Sequence, residues 1–447
     1  MVNYNFLKLQ QLDQKYIWHP FTQEKIADLP ISIKSAYKSY LYDYAGNQYL
    51  DLISSWWVNL HGHAEPKIAK AIYKQALNLE QVIFAGFTHK PAVDLASLII
   101  EYLPENLTKG FFSDNGSTSV EVALKMAYQY WVNLGETQRS LFLSFSGGYH
   151  GDTFGAMSVG RTSDFHQAFK KLFFEVLSIP FADTFDNDLE IIDKEQLALS
   201  ILQQYLTKYY NQIAAIILEP LVQGASGMRI CRATFIEQVI ELVRKHEILV
   251  IFDEVMTGFG RTGTCFALEQ LQLKYSPDLL CLSKGITGGF LPLGLTVTTD
   301  KIYQAFLSDK FATAFAHGHS YTANPLACAA GIASFKLLQS SKTIKAIKNI
   351  HKTHLLGIQY LKDLNLPLEK FRVIGAIAAF DLNNQFINQL NLNQADFHQY
   401  LKREFLKQGL LLRPLGNTIY LLPPYSTSSE ELLEAYHKIG KILELKN

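Results

Sequence analysis

The sequence predicts an α/β protein with a large domain built on a mostly parallel sheet and a small α+β domain assembled from both chain ends. Three observations lead there. Between about residues 66 and 330, short apolar runs of strand length alternate with helical patterns, the signature of a sheet covered on both faces. Residues 35–53 alternate differently, around Ala45-Gly46-Asn47, a hairpin turn signal. Beyond about residue 330, amphipathic helix mixes with short strands such as Thr418–Leu422. The expected divisions are 1–65 for the first part of the small domain, 66–328 for the large domain and 329–447 for the rest.

Within the large domain the strand candidates are Gly110–Ser113, Leu141–Phe145, Ala214–Leu218, Ile248–Phe252 and Leu279–Ser283. Each is a short apolar run of strand length. A helix begins near Ser117, because Val120, Ala123, Leu124, Ala127, Tyr128 and Trp131 recur at i, i+3, i+4 spacing. Its apolar stripe is expected to face the sheet. Another long helix, expected to open the C-terminal part of the small domain, starts after Asn324-Pro325.

Charge and composition narrow the partners. Lysine plus arginine (41) equals aspartate plus glutamate (41), so no net field attracts nucleic acid or an anionic membrane, and small-molecule substrates are expected. The start, MVNYNFLKLQQLDQKY, has no apolar core of signal-peptide length, and no window approaches the roughly 20 apolar residues of a membrane helix. A cytoplasmic protein is expected. Cys231, Cys265, Cys281 and Cys328 lie far apart without a CxxC pair, which suggests neither a disulfide framework nor a metal site. They read as buried small apolar residues.

In open parallel sheets, ligands bind beyond the carboxyl ends of the strands, and there this chain carries its chemistry. After the first run comes Asp114-Asn115-Gly116-Ser117-Thr118-Ser119, where glycine and a helix start favour an anion such as phosphate. A plain N-cap explains the same residues. After the second run, Ser146-Gly147-Gly148-Tyr149-His150-Gly151-Asp152 offers an aromatic ring for stacking, or merely a tight loop. Glu219-Pro220 and Gln223-Gly224 follow the third run, and Asp253-Glu254 the fourth. A carboxylate after a run as apolar as ILVIF must be paired or capping. Lys284 follows the fifth run, flanked by that strand and by Gly285, Gly288 and Gly289. Desolvation there lowers an ammonium pKa and leaves the neutral amine that forms imines. No Walker GK[ST] and no GxGxxG after a strand is present, which disfavours nucleotide hydrolysis and nicotinamide chemistry. One ligand explains all these residues together: pyridoxal 5'-phosphate, with its phosphate at Gly116 and Ser117, its ring under Tyr149, its pyridine nitrogen beside Asp253 and its aldehyde on Lys284.

The strings Asp253-Glu254-Val255, Thr257-Gly258-Phe259-Gly260-Arg261-Thr262-Gly263 and Ser283-Lys284-Gly285 resemble the signature of class III aminotransferases of PLP fold type I, and the likeness covers nearly the whole chain. Trp18-His19-Pro20-Phe21-Thr22, Ser54-Ser55-Trp56-Trp57, the run from Tyr149 to Ala156 and Leu412-Arg413-Pro414-Leu415-Gly416 resemble the branch that aminates 8-amino-7-oxononanoate in biotin synthesis. The resemblance implies that Lys284 carries the cofactor and moves the proton, that Asp253 partners the pyridine nitrogen, and that Tyr149 and Val255 pack on opposite ring faces. It implies that Gln223 lies near the ring hydroxyl, with Gly116 and Ser117 on the phosphate. In His317-Gly318-His319-Ser320, the last two residues would reach the phosphate of a neighbouring subunit, making a homodimer with sites completed in trans. Phe21, Trp56, Tyr149, Lys284 and Gly318 would line the substrate pocket, and Arg413 would fork onto a substrate carboxylate. Arg261 would add a second charged contact, while His150 and His317 suit either structural hydrogen bonding or participation. S-adenosylmethionine is the implied amino donor, with lysine as the alternative, since Phe21 stands where many members carry tyrosine and the trans loop reads HGHS instead of HGPT. Another class III ω-aminotransferase is the alternative for the reaction itself.

Overall fold

The computed structural model describes residues 6–160, 164–384, 386 and 394–444. Seven strands form the central sheet: β1 (Leu107–Ser113), β2 (Leu141–Phe145), β3 (Val176–Ile179), β4 (Ile213–Leu218), β5 (Leu249–Asp253), β6 (Leu279–Leu282) and β7 (Gly294–Thr299), in the order β1-β7-β6-β5-β4-β2-β3. Only β7 runs against its neighbours, pairing antiparallel with both β6 and β1. Every residue of β4, β5 and β6 is buried, which explains runs without alternation: helices cover both faces of the sheet.

All five anticipated strands form, β2 with the expected bounds and the other four with shifted ends; β1 begins at Leu107 and β6 stops at Leu282. Strands β3 and β7 join them without having been expected from the sequence. Reversed β7 is sterically demanding at its start, where a β-carbon on Gly294 would stand 2.3 Å from Ser113 Oγ. The helix expected near Ser117 spans Gly116–Asn133, and Val120, Ala123, Leu124, Ala127 and Trp131 are buried while Tyr128 is half exposed. Asn115 caps it by accepting from Thr118 N–H at 3.0 Å, and the Thr118 hydroxyl accepts the Asn115 N–H.

The two chain ends meet in one small sheet. Strands Ile33–Tyr37, Tyr40–Asp43 and Gln48–Asp51 are antiparallel around the turn at Gly46, and Leu410–Leu411 joins the last of them in parallel. A second sheet joins Leu368–Ile374, Ile377–Leu382 and Thr418–Leu421, flanked by helices Ser341–Asp363 and Ser429–Leu443. Gly357 lets those helices touch, since a β-carbon there would lie 2.2 Å from the Tyr436 ring.

The helix after Asn324 does start there, with Asn324 Oδ1 accepting from Ala327 N–H at 3.0 Å. It does not open the small lobe by its packing. It lies against helices Pro66–Ala76 and Lys90–Ile100, and Gly331 allows the approach because a β-carbon would stand 2.9 Å from Leu95. Cys231, Cys281 and Cys328 are buried, and Cys265 is partly so. Among the described residues, no helix is long and apolar enough to cross a membrane, and no cluster of three metal-ligating side chains occurs.

Candidate active site

A cavity of about 670 Å³ opens at the carboxyl edge of the sheet. Its walls include Gly116, Ser117, Tyr149, Asp253, Val255 and Lys284, which the sequence places far apart and the fold gathers. The parallel strands all end at this edge, so the loops leaving β1, β2, β4, β5 and β6 converge on one space.

Lys284 begins a single 3-10 turn at left-handed φ 43°. A side-chain-bearing residue held in that region marks a position over-determined by its surroundings. Its Nζ stands 4.6 Å from the centre of the Trp57 ring. Burial lowers its pKa from 10.5 to about 8, an effect that the charges of Asp253 and Glu219 only partly offset.

Asp253 ends β5 and is 3% exposed. One oxygen accepts from Val255 N–H at 3.0 Å, and the other meets His150 Nδ1 at 2.7 Å. The buried carboxylate is therefore paired, as its position demanded, and His150 serves as its fixed partner. Glu219, at the end of β4, accepts from the N–H groups of Tyr149 and Gly224, both at 3.0 Å. Burial raises its pKa to about 7 against the pull of His150. Neighbouring Glu254 turns away and accepts from Ala267 and Leu268 N–H at 2.6 and 2.8 Å, a purely structural cap.

At the far end of the cavity lies the start of the Gly116–Asn133 helix. First-turn N–H groups have no carbonyl four residues back to meet, and those of Gly116 and Ser117 stand at this wall. A β-carbon on Gly116 would come within 2.6 Å of Val255 Cγ1, so only glycine fits between them. Ser117 Oγ bonds Thr153 Oγ1 at 2.8 Å and accepts from Thr153 N–H at 3.0 Å, tying the helix start to the Tyr149 loop. A glycine-led helix start, Tyr149 and Val255, a buried carboxylate and an amine, all on the walls of one cavity, fit pyridoxal phosphate.

Other expected residues lie elsewhere. Gln223 is 1% exposed, and its carboxamide is held by Ser146 O at 3.2 Å and Arg229 Nη1 at 3.3 Å, just behind the cavity wall. Trp56 is 42% exposed and packs on Phe21, 5.6 Å between ring centres, while the Arg413 guanidinium lies 4.4 Å over its ring. Phe21, Trp56 and Arg413 thus form one cluster beside the cavity. Its inner aromatic wall is Trp57, which donates to Tyr420 Oη at 3.0 Å. The pair Trp56-Trp57 was the signal for it. Asp51 pins this loop, accepting from Ile53, Ser55 and His63, and lets Ser54, Ser55 and Trp57 adopt positive φ.

Arg261 departs from expectation. Its guanidinium is fully buried and donates to the carbonyls of Trp57, Asn59 and Pro423, so it braces the tryptophan loop, and it does not line the cavity. Gly318, His319 and Ser320 do not line this cavity. Gln81 donates to Ser320 O at 2.9 Å, and Lys125 Nζ meets His317 Nδ1 at 3.1 Å.

The class III aminotransferase profile matches residues 22–443. The chain belongs to the class III aminotransferases. It is 48% identical to the adenosylmethionine-8-amino-7-oxononanoate aminotransferase of Synechococcus elongatus over 96% of this chain and 98% of that one. The enzyme of that name from Helicobacter pylori is 41% identical, with 98% of each chain covered. Among solved structures, the crystal structure of the Methanocaldococcus jannaschii enzyme of the same name superposes with a TM-score of 0.90 at 35% identity, over 99% of this chain and all of that one. A PLP-bound amine transaminase from an uncultivated Pseudomonas species gives 0.88 at 30% identity, covering 96% of this chain and 99% of that one.

Proposed function

We propose that this class III aminotransferase uses pyridoxal 5'-phosphate to move an amino group from S-adenosylmethionine to 8-amino-7-oxononanoate, giving 7,8-diaminononanoate, as a cytoplasmic homodimer. The observation that carries the reading is the single cavity in which the Lys284 amine, the Asp253–His150 pair and an open helix start meet. The names of close relatives over nearly the full chain support the choice of substrates.

When bound, the cofactor supplies a carbonyl to take the amine and an electron-poor ring to stabilise charge on the adjacent carbon. The chain's own groups do the rest. Asp253, locked by His150 and Val255 N–H, would keep the pyridine nitrogen protonated. Tyr149 and Val255 would hold the ring from opposite faces, and Gly116 and Ser117 N–H would take the phosphate. Lys284 would carry the proton between carbons, its lowered pKa suiting both acceptance and release near neutrality. Arg413 would hold a substrate carboxylate at the Trp56–Phe21 cluster, the planar fork matching the two oxygens. Glu219 would brace the Tyr149 loop.

In trans, His319 and Ser320 would reach the partner's phosphate, and Gly318 its substrate. Their location outside this chain's own cavity supports that division. The deciding experiment supplies purified enzyme and the oxononanoate with S-adenosylmethionine or with lysine, and assays the diamine by mass spectrometry. Diamine with S-adenosylmethionine alone is expected; none with either donor would sink the reading.

A further inference from the structure

One wall of the cavity rests on a residue that the proposed chemistry does not touch. Tyr149 O–H donates to Asp152 Oδ2 at 2.9 Å, and both residues line the cavity. The other oxygen, Asp152 Oδ1, meets His166 Nε2 at 3.1 Å. A carboxylate can only accept, so Nε2 carries the hydrogen. His166 comes from a separate segment, the 3-10 turn Asp164–Leu172, and its ring lies nearly parallel to that of Tyr149, at 23° with centres 6.2 Å apart.

Burial differs sharply along this chain of contacts. The Asp152 side chain is 49% exposed, whereas that of His166 is 8% exposed. A half-exposed aspartate left to itself samples several rotamers, and a phenol bonded to it would follow. A buried ring behind the carboxylate removes that freedom. His166 Nδ1 is buried without a hydrogen-bond partner among the described residues, so Asp152 is the ring's polar anchor there. Such a cost is tolerated where other contacts hold the ring.

We infer that His166 is a positioning residue, acting through Asp152 to hold the Tyr149 ring in the plane that packs on the cofactor. The inference rests on the cofactor reading above. His166 does not itself line the cavity.

The test compares holoenzyme of wild type, His166→Phe, His166→Gln, Asp152→Ala and the double variant Asp152→Ala/His166→Phe. The readouts are the dissociation constant of pyridoxal phosphate by fluorescence and the circular dichroism of the bound-cofactor band. Phe keeps a ring but loses the donor, and should weaken cofactor binding about tenfold and diminish the dichroic band, as expected for a lost bond to a charged group. Gln places an amide N–H near the position of Nε2 and should recover most of both signals. In the Asp152→Ala background, His166→Phe should add nothing.

Wild-type affinity in His166→Phe, failure of His166→Gln to recover, or full additivity in the double variant would each overturn the inference. Melting of the cofactor-free variants separates misfolding from repositioning, and if His166→Phe does not fold, the Gln and Asp152 variants decide. A wild type that binds no cofactor would sink the cofactor reading and this inference with it. Normal wild-type binding with unaffected variants would sink this inference alone.

Discussion

At Lys284 the decisive quantity is the energy of burying a charge. Its folded-state pKa of about 8 lies below the ordinary 10.5, so the amine is half neutral near pH 8. Capture of pyridoxal phosphate by the cofactor-free protein should therefore accelerate with pH up to about 8 and then level off, measured by growth of the imine absorption band. A rate independent of pH between 6 and 9 would contradict this, a window chosen as about one to two units around that value. The linkage has a definite sign. Between about 8 and 10.5 the unfolded chain binds a proton at Lys284 that the folded chain lacks, so this residue makes the cofactor-free protein gain stability as pH rises through that window. Lys284→Ala should lower turnover at least about a thousandfold, because the covalent link and the proton carrier vanish together. Asp253→Asn should lower kcat roughly ten- to a hundredfold by weakening a bond to a charged ring nitrogen, with the fold retained by circular dichroism.

At the scale of elements, the Gly116–Asn133 helix couples sequence to site most directly. Its cap, Asn115, serves stability, and its first residues are those proposed to take the phosphate, which is why a plain cap and a phosphate site read alike in the sequence. The two roles separate by mutation. Asn115→Ala should cost about 1 kcal/mol of stability in thermal melts. Gly116→Ala should hit cofactor affinity first, because its β-carbon would stand 2.6 Å from Val255 Cγ1 and displace that side chain at the cavity wall. Equal loss of affinity in both variants would argue against that division. The strands whose runs are apolar on both faces were legible because burial on both faces leaves no alternation to misread. Strand β7 was not, since GLTVTT looks like a short polar-apolar mixture until two neighbours bury it on both edges. The Pro325–Leu338 helix was legible in its start but not in its packing, which depends on the distant Leu95 fitting against Gly331.

At the scale of the whole molecule, the proposed reach of His319 and Ser320 into a neighbouring site calls for a second copy of the chain. Equilibrium sedimentation should give twice the chain mass. Mixing inactive Lys284→Ala with inactive Ser320→Asp, whose carboxylate would repel a phosphate, should restore activity through hybrids that hold one intact site; no recovery after subunit exchange would contradict sites completed in trans. The sequence by itself determined the local chemistry: a buried lysine after one strand, a carboxylate after another, glycine and a cap before a helix. Each follows from neighbours a few residues away, where polarity and backbone preference are written. Which groups face the cavity was decided only by tertiary structure. Trp57 rather than Trp56 forms the inner wall, Arg261 turns inward as a brace, and His150 closes on Asp253 at 2.7 Å. These outcomes depend on side chains more than a hundred residues apart competing for the same buried volume, and a linear chain carries no direct record of that competition.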